Sequence, residues 1–299
     1  MKKKSFSLVI GVILAILFIG EAIYSFRNTE FSDRATGETI QLVHIPYDTD
    51  MAAANVIGIV LEDVGYNVRL ISVDNAIMYE SLASGESDAT PSAWLPVSQG
   101  TTYEAYKDDV VNLGPHLEGA ETGMAVPTYM DVDSIDELDD HANKTIVGIE
   151  PGAGMTVVTE EAMEVYDNLH DWTLETPSTG AMLASAESAV RNQEEIVVSA
   201  WRPHWMFQEY GLKLLDDPEN VFGEAEGVYT LTREGFAEDF PEANQILDNF
   251  YWEEEDMNSV TYAMEQGMDT RTAAQNWIDA NPEKVQSWVE GVVDTETVE

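Results

Sequence analysis

The stretch SAWLP at residues 92–96 returns as SAWRP at 199–203. Each copy ends an apolar run, DATPSAWLP in the first half of the chain and EEIVVSAWRP in the second. Tryptophan occurs seven times in 299 residues, so repeating it in one local setting points to two equivalent walls around something.

Working outward from the first copy, TIQLVHIPY reads as a strand, and DMAAANVIGIVLEDVGY carries helical periodicity until Gly65 stops it. NVRLISV and NAIMYESLASGES read as the next strand and helix. DATPSAWLP is then a short strand ending in the first Trp-Pro turn, and TGMAVPTYM an apolar strand. The second half repeats the plan. NKTIVGIEPGAG runs from a strand into a Gly-rich turn, followed by the helix MTVVTEEAMEVY, then WTLETPS, GAMLASAESAVRNQ and the second Trp-Pro strand. This alternation predicts an α/β fold with mainly parallel sheets in two lobes, residues 38–130 and 142–235. The acidic run DVDSIDELDD (131–140) has the composition of a calcium loop but lacks glycine at its sixth position. It reads instead as the acidic start of a helix between the lobes. Residues 236–299 read as helices that pack back on the lobes.

In open α/β sheets, ligands sit beyond the carboxyl ends of the strands. Both Trp-Pro turns fall there, as do HIPYDTD and EPGAGM. A ligand cleft between the lobes is therefore expected.

Composition narrows the ligand. Asp and Glu total 56 against 14 Lys and Arg, a net charge of −42. Such a surface repels nucleic acid and anionic headgroups. It also suits a salty or alkaline exterior, and in salt screening relieves self-repulsion. With no cysteine in the chain, disulfides, thiol catalysis and cysteine-based metal sites are excluded. The five histidines are scattered without metal-ligand spacing, and neither a nucleophile elbow nor a phosphate-cradling Gly-Lys-Ser/Thr loop occurs. Nothing demands catalysis, a metal or a cofactor.

The first 27 residues pair a basic start, Lys2 to Lys4, with an apolar run from Phe6. From Phe6 to Phe26 a helix would extend about 30 Å, enough for a bilayer core. The lysines favour a cytoplasmic N-terminus. An uncleaved anchor is expected, with a cleaved signal as the alternative, since a small-x-small cleavage site is poorly formed. Residues 28–37 read as a tether. Either way the body lies outside the membrane, and one span leaves any permease to another chain.

Three aromatic residues follow strands: Tyr47, Trp94 and Trp201. Rings around a cavity attract a quaternary ammonium through their quadrupoles, about 2 kcal/mol per contact when desolvated. Trp172, Trp252, Trp277 and Trp288 lie in or beside helical stretches and read as core. Gly152 and Gly154 stand between a strand and a helix, where backbone N–H groups can approach an anion. Val157 occupies the third glycine position of a dinucleotide fingerprint, so a carboxylate fits better than a pyrophosphate.

Together, NVIGIVLEDVGYNV, SAWLP, NKTIVGIEPGAGM and SAWRPHWMF resemble the glycine betaine-binding proteins of ABC-type osmoprotectant importers, over roughly residues 38–290. The resemblance implies a two-lobed, periplasmic-binding-protein-like (type II solute-binding) fold that closes around ligand. It implies an aromatic box of Trp94, Trp201 and Tyr47 around a trimethylammonium group. The carboxylate of this zwitterionic ligand would be held by the amides of Gly154 and Met155, and a separate ABC permease would accept the cargo. Two positions depart from the family pattern. Tyr47 stands where relatives with a three-Trp box have Trp, and Gln99 where they place a carboxylate-binding His. Both point to weaker glycine betaine binding or to another ligand, such as a larger betaine, carnitine or choline. Two rivals from other classes are an extracellular carbohydrate-active enzyme, whose Trp walls would stack on sugars, and a tethered sensor module.

Overall fold

The structure, a computed structural model, describes residues 37–292. The expected anchor at 1–27 and nearly all of the tether lie outside the described residues. Strand β1 (Thr39–His44) feeds helix α1 (Asp48–Val64), and β2 (Asn67–Ser72), α2 (Asn75–Ala83) and β3 (Ala89–Leu95) follow. Gly65 ends α1 in the left-handed region at φ 114°, where its amide closes the last turn onto Glu62 and Leu61. Asp74 caps α2 by accepting from the Ile77 amide at 3.0 Å.

Helix α3 (Gly100–Tyr106) leads to a long strand, β4 (Val110–Pro127). The second lobe holds β5 (Thr145–Val147), α4 (Gly154–Val165), β6 (Thr173–Glu175), α5 (Thr179–Asn192), β7 (Val197–Arg202) and β8 (Leu212–Leu214). Strand β9 (Glu226–Arg233) follows, and the order across the whole sheet is β2-β1-β3-β9-β4-β7-β5-β6, with β8 on β4.

The plan is duplicated. In the first lobe β2, β1 and β3 are parallel, with β9 antiparallel beside β3. In the second, β6, β5 and β7 are parallel, with β4 antiparallel beside β7. Trp94 and Trp201 occupy matching places near the ends of β3 and β7, and each following X-Pro bond is cis.

Three expectations need correction. The sheets are mixed rather than mainly parallel, because β4 and β9 run against their neighbours. Strand β4 begins well before the apolar TGMAVPTYM: residues from Val110 to Ala120 pair with β9, and Glu121 to Pro127 with β7 and β8. Its first half, VVNLGPHLEGA, is interrupted by Gly114, Pro115 and Gly119, with irregular register against β9, so alternation is broken. The acidic run at 131–140 forms a single 3-10 turn, Ile135–Glu137, rather than a helix start.

The division at 235 also differs from the pairing. Glu226–Arg233 joins the first lobe's sheet, so the chain leaves the second lobe between β8 and β9. The tail is helical as expected: α7 (Phe236–Asp239), α8 (Pro241–Asn249), α9 (Glu254–Glu265), α10 (Thr270–Ala280) and α11 (Pro282–Trp288), after the short α6 (Met206–Glu209) of the second lobe. Helices α9 and α10 pack on α1, which places the tail on the first lobe. Trp252, Trp277 and Trp288 are buried there in one cluster: Trp277 stacks on Trp288 at 5.7 Å and meets Trp252 edge-on at 5.7 Å. Trp172 is buried in the second lobe, its indole N–H donating to the Asp139 carbonyl at 3.3 Å.

Candidate ligand-binding site

Between the lobes lies a pocket of about 450 Å³, counted out to its open mouth. All six residues singled out from sequence line it: Tyr47, Trp94 and Gln99 from the first lobe, Gly154, Met155 and Trp201 from the second. Each reaches it for a local reason. Trp94 and Trp201 sit at carboxyl strand ends, and Tyr47 is the residue before α1 begins. The rings of Tyr47 and Trp201 face each other from opposite lobes, centroids 6.0 Å apart and tilted by 44°.

Gly154 and Met155 open α4, whose N-cap residue Ala153 supplies no side-chain cap. The first amides of a helix have no intrahelical acceptor and carry its partial positive charge. That makes this end of the pocket suited to an anion. Gly152, at φ 89°, takes the turn before it. Gly154 is needed for another reason: a Cβ there would stand 1.7 Å from the Ser98 carbonyl oxygen. The two lobes meet here backbone to backbone.

The Ser98 side of that contact is fixed from below. Glu226 on β9 accepts from the Val97 amide at 3.2 Å, the Ser98 amide at 3.0 Å and the Ser98 hydroxyl at 2.6 Å. Burial raises the Glu226 carboxyl, against the pull of these bonds.

The two departures from the family pattern have structural counterparts. Gln99 is buried, its Oε1 accepting from the Tyr79 hydroxyl at 3.0 Å and its Nε2 donating to the Ser92 carbonyl at 3.0 Å. This ties the amide to its own lobe and leaves one N–H beyond those two bonds. Tyr47 turns its hydroxyl to Glu150 of the second lobe; burial pushes the phenol well up, and the Glu150 and Asp50 carboxylates push the same way. Glu150 is held by the Thr179 amide at 2.8 Å and hydroxyl at 2.9 Å.

Sequence reasoning missed Asp50, Asn75, Ser98 and Thr122, which also line the pocket. Asp50 is 2% exposed, and its Oδ1 is buried without a hydrogen-bond partner. Burial pushes its carboxyl up to about 7, against the weaker pull of hydroxyl and indole neighbours that include Thr49 and Trp94. Among 56 acidic residues it carried no distinguishing signal. Thr122 lies opposite Trp201 in the β4–β7 register, and only the pairing of those strands reveals it. His204 and Trp205, within the quoted SAWRPHW, lie behind Trp201: the His204 ring meets it edge-on at 4.9 Å. Among the described residues, no group of three or more His, Asp or Glu could hold a metal ion.

A two-lobed mixed α/β fold with an aromatic pocket at its internal cleft is that of a solute-binding protein. Residues 38–280 match the family of substrate-binding domains of ABC-type glycine betaine transport systems, and the chain belongs to that family. The glycine betaine/carnitine transport binding protein of Listeria monocytogenes is 44% identical over 174 residues, 58% of this chain and 57% of that relative. The match thus spans little more than half of the Listeria protein. Lactococcal OpuAC, in its closed form with glycine betaine, superposes with a TM-score of 0.83 at 39% identity, covering 85% of this chain and all of that one. The Borrelia burgdorferi glycine betaine/L-proline-binding protein gives 0.82 at 35% identity, over 85% of this chain and 97% of that one. A transport-system binding domain is not an enzyme, which removes the carbohydrate-active rival.

Proposed function

We propose that this chain is the extracytoplasmic substrate-binding protein of an ABC importer and captures glycine betaine or a related quaternary-ammonium solute. One observation carries the reading: aromatic rings from both lobes and the uncapped start of α4 line the same pocket. Trp94, Trp201 and Tyr47 would surround the trimethylammonium group. The Gly154 and Met155 amides would take the carboxylate, with the remaining Gln99 N–H within the same lining. Three desolvated cation–π contacts give about 6 kcal/mol. A micromolar complex needs about 8 kcal/mol, and the amide clamp supplies the rest, before ordering costs.

The closed complex would hand its cargo to a permease on a separate chain, at the outer face of the membrane to which the N-terminal segment tethers the body. A choline or carnitine ligand is the second reading, and Asp50 favours it. Asp50 presents a buried carboxyl to the pocket, and choline and carnitine each bring a hydroxyl that can bond to it, where glycine betaine brings none. The reading is tested by Trp94→Ala and Trp201→Ala. Each should abolish high-affinity binding while the circular dichroism spectrum stays native, and normal binding by either variant would contradict the box.

A further inference from the structure

At the edge of the cleft the residue after Tyr47 makes a bond that no ligand contact requires. The Asp48 carboxylate, on the first lobe, accepts from the indole N–H of Trp205 on the second, Oδ2 to Nε1 at 2.8 Å. The same oxygen lies 3.3 Å from His204 Nε2. His204 Nδ1 accepts from the Met206 amide at 3.1 Å, which leaves the ring proton on Nε2, the nitrogen facing Asp48. The imidazole is fully buried and meets Trp201 edge-on at 4.9 Å, while the Trp205 ring lies 5.0 Å from it on another side. Asp48 also anchors itself: its Oδ1 accepts from the Thr49 amide at 2.8 Å, so the carboxylate is oriented before it meets the other lobe. Burial pushes Asp48 up, but His204, Trp205 and the Thr49 amide outweigh it and hold the carboxyl below its ordinary value.

We propose that Asp48 is the latch of the closed cleft, a positioning residue that joins the lobes through Trp205 and holds the Trp201 wall in place through His204. The physical basis is that both partners are presented by the second lobe alone. When the cleft opens, the Asp48 carboxylate returns to water and the Trp205 N–H loses its charged acceptor. The bond therefore belongs to the closed state and shifts the population toward it. A hydrogen bond to an ionised acceptor is among the stronger kinds and gains from the dry setting. Because Tyr47 and Asp48 are adjacent, one movement of the start of α1 against the second lobe brings wall and latch together. The latch rests on lobe closure from the proposed function and not on which solute is bound.

The absence of cysteine allows a clean test. Cysteines placed at the exposed Glu86 and Glu194, one on each lobe, would carry a fluorophore pair reporting cleft closure. Asp48→Ala and Trp205→Phe should each speed glycine betaine dissociation about tenfold or more, with the association rate little changed. The double variant should lose no more than Asp48→Ala alone, since that substitution already removes the acceptor of the Trp205 bond. Asp48→Asn keeps an acceptor oxygen and should recover part of the loss. The ligand-free thermal midpoint of Asp48→Asn should not move, which separates a latch from a general structural role; Trp205→Phe, at a buried ring, is read by its dissociation rate alone. Unchanged dissociation in Asp48→Ala, or losses that add in the double variant, would overturn the latch. If wild type binds no glycine betaine, the choice of glycine betaine as the ligand has failed. The latch is then read from the ligand-free closed fraction, which Asp48→Ala must lower; an unchanged fraction overturns it.

Discussion

A methyl group at residue 154 decides whether the lobes can meet. The Cβ of Gly154→Ala would overlap the Ser98 carbonyl, so backbone must move on one side or the other. This variant should lose ligand affinity by about 100-fold or more, roughly the 3 kcal/mol of a backbone shift in a packed setting. Its ligand-free stability should stay near wild type, because the clash arises at closure; titration and calorimetric melting of one sample check both halves. Asp50 makes a prediction of the opposite kind. Its folded-state carboxyl titrates near 7 against an ordinary value of 3.8, so between those values the folded protein holds a proton that the unfolded chain releases. This contribution to stability is therefore largest at low pH and falls as pH rises through that window. Asp50→Asn should flatten that slope and raise the melting midpoint at pH 8, and an unaltered pH profile would count against the assignment. Side chains placed by a strand end or a helix start were legible in sequence, as Trp94, Trp201, Tyr47 and Gly154 show. Asp50 and Thr122 were not, because one is an acid among many and the other is placed by strand pairing across the chain.

Among the elements, β4 and β9 carry what the sequence pattern concealed. The parallel units around β1 and β5 follow from strand–helix alternation, which is local. The antiparallel strands join segments far apart in the chain: Leu117 pairs with Val228, and Thr122 with Trp201. No periodicity within β4 announces such a partner, and its glycines and proline blur the pattern that remains. The chain crosses between the lobes within β4 near Ala120 and again between β8 and β9, so these segments would absorb the closing motion. The tail helices were legible because their core residues recur at helical spacing, yet their docking on α1 was not. Their tryptophan cluster is structural. Trp252, with 0% exposure, should cost about 3–5 kcal/mol when replaced by Ala. Urea unfolding measures this, and ligand affinity in the surviving folded fraction should be unchanged.

For the whole molecule the governing quantity is the net charge of −42. Carboxylates of both lobes gather at the edge of the cleft. The Glu265 carboxyl on α9, which packs with the first lobe, is raised first by burial and then by nearby carboxylates, Asp48, Glu187 and Glu209, the last two on the second lobe. Salt screens such repulsion within about 10 Å at 0.1 M, whereas the cation–π contacts of a dry box are screened little. Ligand affinity should therefore rise with salt, where a charge-steered site would weaken. That rings from two lobes and the start of α4 form one site for a quaternary-ammonium solute can be checked by calorimetric titration of residues 28–299 at high salt. Glycine betaine, proline betaine, carnitine and choline would be compared side by side. Saturable binding of at least one is expected, with Trp201→Ala silent toward it. No heat from any of the four, or full binding by Trp201→Ala, would contradict it.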